Sequence, residues 1–207
     1  SMLGIEYKNN AQGEKQFVFY GYKRNWFDGQ FGIEINAPDG LPFKNIVFEF
    51  MKTKDQCGAL CVENDDMVER VDGAENYYNH TVYKSYTHWG YAIGTPVLIS
   101  PIYNKDSSML FRSNRAMMFH LGVDGRITNK IDYRVLATNT SHWGTYIKPF
   151  EEVSNITSLM LECSYWTGDA YSWKFSLTGA MDIEKGGNLL GGTNNSGIML
   201  TVSKVWD

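Results

Sequence analysis

Three cysteines among 207 residues, Cys57, Cys61 and Cys163, are too few for a disulfide framework and too sparse for a four-cysteine zinc site. The Cys57-Gly-Ala-Leu-Cys61 spacing is specific to neither redox chemistry nor metal, although an oxidising compartment would let it close a small loop. Charge of one sign is lacking as well. The 19 Lys+Arg stand against 23 Asp+Glu, a formal net charge of -4, and with no block of either sign the chain lacks the electrostatic footprint of a nucleic-acid binder. There are five prolines and no Pro-rich linker. No stretch approaches the ~18–20 uninterrupted apolar residues of a transmembrane helix, so any membrane crossing would rest on strands. No charged-then-apolar leader opens the chain, but Ser1-Met2 reads as a cloning remnant, which removes any bearing of that lack on location.

What is abundant is apolar and aromatic surface. Hydrophobic residues make up 43% and aromatics 14% against 20% charged, with 13 Tyr and 6 Trp, a balance that excludes a disordered chain. The length fits a single domain over 1–207, or a large piece of a bigger one. Apolar and polar residues alternate with period two. From 116 to 126, Met117, Phe119, Leu121 and Val123 share one face, while Met118, His120, Asp124 and Arg126 share the other; from 172 to 183, Trp173, Phe175, Leu177, Met181 and Ile183 oppose Lys174, Ser176, Thr178 and Asp182. Similar windows at 31–36, 46–51, 131–135, 157–165 and 198–203, with 3–8 and 15–24, predict an all-β antiparallel chain of about eight or nine strands.

Turn chemistry at Pro38-Asp39-Gly40, Thr128-Asn129-Lys130 and Thr167-Gly168-Asp169 suits short connections between antiparallel neighbours. Longer excursions are expected at 142–153, 184–194 and above all 55–112, the last far beyond a structureless connection and therefore expected to be functional, with short helix around Tyr83–Trp89. Strand parity puts all three long excursions at the same end of the sheet, the expected outer end of a membrane barrel.

Alternation alone fits either a soluble sandwich or a barrel with its apolar face to lipid. Several windows run to 10–13 residues, matching the ~9–11 of a tilted bilayer-crossing strand better than the five or six of a soluble sheet. The polar faces carry both signs, Glu34, Glu49, His120, Asp124, Arg126, Asp132, Arg134, Glu162, Lys174 and Asp182, as the ion-paired lumen of a barrel would. Tyr20, Tyr22, Tyr133, Tyr165, Trp173 and Trp206 lie near strand ends, where interfacial girdles sit.

Candidate chemistry is thin. No HxH or HExxH spacing links the four histidines, His80, His88, His120 and His142, so no metal site is expected. Glycoside hydrolysis needs two carboxylates flanking one bond. Glu34, Glu49, Asp124, Asp132, Glu162 and Asp182 supply candidates, but Arg126, Arg134 and Lys174 offer them ion pairs on the same face. No GxSxG or P-loop is present. The expectation is a protein without enzymatic activity and without cofactor.

The segments Asn76-Tyr77-Tyr78-Asn79-His80, Ser100-Pro101-Ile102-Tyr103-Asn104, Asn114 through Gly125 and Ser141-His142-Trp143-Gly144-Thr145-Tyr146, together with Thr53-Lys54-Asp55-Gln56 and the Met199–Lys204 ending, resemble the Wzi capsule-assembly family of Gram-negative bacteria, in its Bacteroides-like form. The resemblance runs along nearly the whole chain and lies in the order and spacing of the segments. It implies an outer-membrane β-barrel that helps attach capsular polysaccharide to the cell surface as a lectin, with outer-membrane lipid as its other partner. Family members have about twice this length and close a barrel of roughly eighteen strands, within the even-numbered range of such barrels. The chain therefore resembles a C-terminal half. Eight or nine strands closing alone, two copies completing one another as a homo-oligomer, and a soluble sheet all remain open at this point. A soluble carbohydrate-binding β-sandwich and a porin-like channel are the alternative functions.

Sugar binding calls for flat aromatic faces beside amides and imidazoles. The long excursion concentrates these as Tyr77, Tyr78, Asn79, His80, Tyr83, Trp89, Tyr103 and Asn104, joined by Tyr86, His88 and Tyr91, and the loop expected after 131–141 adds His142, Trp143 and Tyr146. Each could equally pack the loop as a cap over a barrel mouth.

Overall fold

The computed structural model describes residues 4–9, 15–20, 28–38, 40–55, 76–79, 86–95, 97–168, 173–187, 189–191 and 194–204, with 4–9, 15–20 and Tyr77 as backbone only. Strands β1 (Gly4–Asn9) and β2 (Lys15–Tyr20) pair with each other as a separate antiparallel hairpin. β3 (Gly29–Asn36) and β4 (Asn45–Lys52) open the main sheet. After β4 the chain leaves it, makes a small hairpin from β5 (Thr87–His88) and β6 (Tyr91–Ala92), and returns as β7 (Ala116–Thr128). β8 (Ile131–Gly144), β9 (Pro149–Trp166), β10 (Trp173–Lys185) and β11 (Asn195–Lys204) follow. The main sheet has seven strands in the order β11-β10-β9-β8-β7-β4-β3, antiparallel throughout.

The all-β antiparallel expectation holds. The sheet is nevertheless open among the described residues, with free edges at β3 and β11, so closure of eight or nine strands into a small barrel is not the arrangement of this segment. Two physical causes are visible: β1 and β2 satisfy their ladder with each other, and the described residues between β4 and β7 lie outside the main sheet.

The register assigns every strand residue to a face, because directly opposed residues in an antiparallel ladder share a side. One row across all seven strands reads Ile35, Ile46, Val123, Val135, Leu161, Gly179, Ile198, and the next reads Ile33, Phe48, Leu121, Ala137, Leu159, Met181, Ser196. Phe31, Phe50 and Phe119 continue this face at one end; Tyr165, Phe175 and Val202 continue it at the other. The face is apolar and uncovered: Ile33 is 64% exposed, Leu161 58%, Leu177 56%, Leu200 69% and Ile198 84%. Cys163 lies on it too, free and exposed; Cys57 and Cys61 fall outside the described residues.

The turn between β3 and β4 closes over Gly125, where a Cβ would stand 2.2 Å from the Pro42 carbonyl oxygen and 2.8 Å from Phe43 Cα. Only the missing side chain allows that approach.

The buried apolar cluster sits on the opposite, polar side, at the end where β4 finishes and β7 begins. There Met51, Ala116 and Met118 stand in place of polar residues and pack with Val97, Leu98 and Phe111 of the excursion, with Tyr78, Tyr86 and Ala92 around them. The excursion is thereby a folded insertion seated on the sheet. Thr53 Oγ1 donates to the Asn114 carbonyl at 2.9 Å, which ties its two ends together.

Two expectations require correction. The connection placed at 142–153 is only residues 145–148, because β8 continues to Gly144 and β9 starts at Pro149. His142 and Trp143 are therefore strand residues, kept in register by Ser141 donating to Asn155 Oδ1 at 2.7 Å. The helix expected near Tyr83–Trp89 is, over its described part, the β5–β6 hairpin, since Trp89 at φ 51 and Gly90 at φ 82 turn the chain left-handed between paired strands.

Candidate functional site

All ten charged or imidazole residues expected to share one face do so, and most are engaged across strands. Asn45 Nδ2 donates to both Asp124 oxygens at 3.2 Å, Gln30 Nε2 donates to Glu49 at 3.3 Å, and His120 Nδ1 meets Thr138 Oγ1 at 2.7 Å. Arg126 Nε pairs with Asp132 at 2.7 Å, and Trp166 Nε1 donates to the same carboxylate at 2.7 Å. Glu162 lies 4.0 Å from both Arg134 and Lys174. Glu34 stands on the β3 edge, and Asp182 faces Asn195 across the β10–β11 ladder. Glu49, Asp124, Asp132 and Glu162 thus serve a cross-strand network.

Antiparallel parity places the insertion, the 145–148 turn and the β10–β11 connection at one end of the sheet, as expected. Next to β3 at this end, burial holds the Asp28 carboxyl above the ordinary carboxylate range, against the Lys52 ammonium 3.5 Å away that favours its ionised form.

The sugar-binding candidates separate into two groups. Several hold the insertion together. Asn79 is buried and clasps the Phe111 backbone, its Nδ2 donating to the carbonyl and its Oδ1 accepting from the N–H, both at 2.7 Å. The Tyr78 hydroxyl meets Thr95 Oγ1 at 2.7 Å, and its ring packs edge-on against Tyr86 and Phe111. Asn104 Nδ2 donates to the Ser108 and Leu110 carbonyls. His142 is fully buried on the polar face between Ala116 and Ser154, and its ring nitrogens have no hydrogen-bond partner among the described residues. Trp143 is half-buried, with Lys54 Nζ 4.2 Å from its ring centroid.

The other group remains presented. Trp89 is 83% exposed with His88 edge-on to it, Tyr103 is 69% exposed with Tyr91 edge-on to it, and Tyr146 is exposed on the 145–148 turn. Tyr77 lies in a short 3₁₀ turn with only its backbone described. His80 and Tyr83 lie outside the described residues.

Two cavities open at this end. One, of about 400 Å³, lies between the insertion and the 145–148 turn, lined by Asn79, Asp106, Phe111, Arg112, Lys148 and Phe150 among others. The second, of about 430 Å³, lies between the insertion and the β10–β11 connection, lined by Tyr103, Lys105, Arg112, Asp182, Leu189 and Asn195 among others. Arg112, Lys105 and Lys148 were missed by sequence reasoning. The available signal was a cation next to aromatic positions in Tyr103-Asn104-Lys105 and Phe111-Arg112. Glu184 was missed as well. Its carboxylate accepts from Ser154 Oγ at 2.6 Å and from the Leu189 and Leu190 N–H groups at 2.6 and 3.0 Å, anchoring the connection that walls the second cavity.

Comparison with models of known families, with curated proteins and with solved structures finds no match.

Proposed function

We propose that the chain forms part of the wall of a bacterial outer-membrane β-barrel whose loop end binds capsular polysaccharide without catalysis, in keeping with its resemblance to the Wzi capsule-assembly family. The observation that carries the membrane placement is the uncovered apolar face of the seven-stranded sheet, opposite a hydrogen-bonded, ion-paired polar face. A soluble sheet would cover the first and expose the second. On β10, the apolar side runs from Trp173 to Ile183, about 33 Å at ~3.3 Å per residue, which a tilt of about 40° reduces to roughly 25 Å, the height of a barrel's lipid-facing band.

The exposed aromatics Trp89, Tyr91, Tyr103 and Tyr146 supply flat faces for pyranose rings at the end where the cavities open. The insertion seated on the polar face favours a binding wall over an open porin-like channel. The test is retention of the detergent-solubilised protein on immobilised capsular polysaccharide. Wild type is expected to be retained and a Trp89→Ala, Tyr103→Ala double variant to elute early; retention of neither, with both folded, overturns the reading.

A further inference from the structure

We propose that the two cavities adjoining at Arg112 form one groove for an acidic glycan, with a sugar carboxylate held by Arg112 between Lys105 and Lys148; this rests on reading the loop end as a glycan-binding surface. The first support is charge. The chain as a whole carries a formal net charge of -4, yet the joined groove is lined by three cations, Lys105, Arg112 and Lys148, against two acids, Asp106 and Asp182. A concave surface with an excess of cations on an otherwise acidic chain draws anions towards it.

The second support is shape. Volumes of about 400 and 430 Å³ are of the size that encloses small organic groups. Phe111 and Phe150 on one side, and Leu189 with Tyr103 on the other, offer apolar walls to the C–H face of a sugar ring. The third support is the position of Arg112. It is exposed and lines both cavities, and a guanidinium presents the planar fork that matches a carboxylate through two parallel hydrogen bonds. A lipid-borne phosphate would offer similar charge. Such a headgroup would have to bring its acyl chains to the apolar face, whereas the second cavity is built on polar-face residues Asp182 and Asn195.

The test is calorimetric titration of the detergent-solubilised chain with an oligogalacturonate, with the same oligomer after reduction of its carboxyls to alcohols, and with inorganic phosphate as competitor. The acidic oligomer is expected to bind at least about ten-fold tighter than the reduced one and to weaken as salt is raised. Arg112→Gln should lower affinity roughly 10–50-fold, and Arg112→Lys should recover part of that, since it keeps the charge and loses the fork. Lys148→Gln, on an exposed turn where misfolding is not at issue, should cost a few-fold. Equal binding of acidic and reduced oligomers overturns acid recognition and leaves the glycan reading standing. So does binding of neutral oligosaccharides alone. Displacement by millimolar phosphate overturns it in favour of a phosphate site, and failure of every glycan to bind overturns both readings.

Discussion

Gly125 and Gly179 both point toward the apolar face of the sheet, and their surroundings predict opposite effects for the same substitution. At Gly125 a methyl would run into the Pro42 carbonyl and Phe43 Cα, backbone that cannot rotate away, so Gly125→Ala should destabilise by about 2–3 kcal/mol through overpacking. At Gly179 an added Cβ meets nothing within 4 Å, and Gly179→Ala should stabilise by about 0.5–1 kcal/mol by removing backbone freedom from the unfolded chain. Thermal unfolding of both variants in one detergent checks the sign. Asn79 is decided at this scale too. Because its amide clasps Phe111 with two buried hydrogen bonds, Asn79→Ala should cost about 2–3 kcal/mol and loosen the insertion, giving early proteolytic cleavage between 76 and 115. A sugar ligand role alone would leave the cleavage pattern unchanged.

For whole strands, the question is which solvent the apolar face meets, and one exposed residue can report it. Leu161 lies in the middle of β9, flanked across the ladder by Val135 and Gly179 and 58% exposed. In water, Leu161→Arg would change stability by less than about 0.5 kcal/mol, the usual range for exposed positions. In a bilayer it should cost about 2–4 kcal/mol, read as a lowered urea midpoint of the protein folded into lipid vesicles, and an unchanged midpoint would sink the lipid-facing assignment.

Such face assignments were legible in the sequence because period two survives from β3 to β11, and strand parity correctly gathered the long connections at one end. What escaped was the end of β8. Thr138, Thr140 and His142 continue the polar side of that strand, but polar residues on both faces near a Trp-Gly pair resemble a loop. The insertion core escaped for a related reason: Met51 and Met118 sit on the polar side of the alternation, and their apolar partners Val97, Leu98 and Phe111 are 46–60 residues away from Met51 in sequence, beyond any local period. Glu184 could not be recognised as an anchor, since the two backbone N–H groups it holds, besides the Ser154 hydroxyl, come within reach only in the folded connection.

At the scale of the molecule, the decisive feature is the pair of free edges. β3 contributes eight residues and β11 ten, and on each the outward backbone groups have no ladder partner among the described strands. Water satisfies such groups; hydrocarbon does not, and each one left bare there costs several kcal/mol. An open sheet with an apolar face thus cannot sit alone in a bilayer. Its edges must meet further strands, from a longer chain or from a second copy, before the apolar rows can face lipid around a closed wall. The consequence is measurable by size exclusion with multi-angle scattering, run with and without detergent. The protein is expected to be monodisperse only in detergent, with a protein mass above the 23.6 kDa of one chain, because the described strands of a lone copy leave both edges bare. A monodisperse single copy in plain buffer would mean that the apolar rows are covered within one chain, and would replace the membrane wall with a soluble sheet carrying the same loop-end cavities.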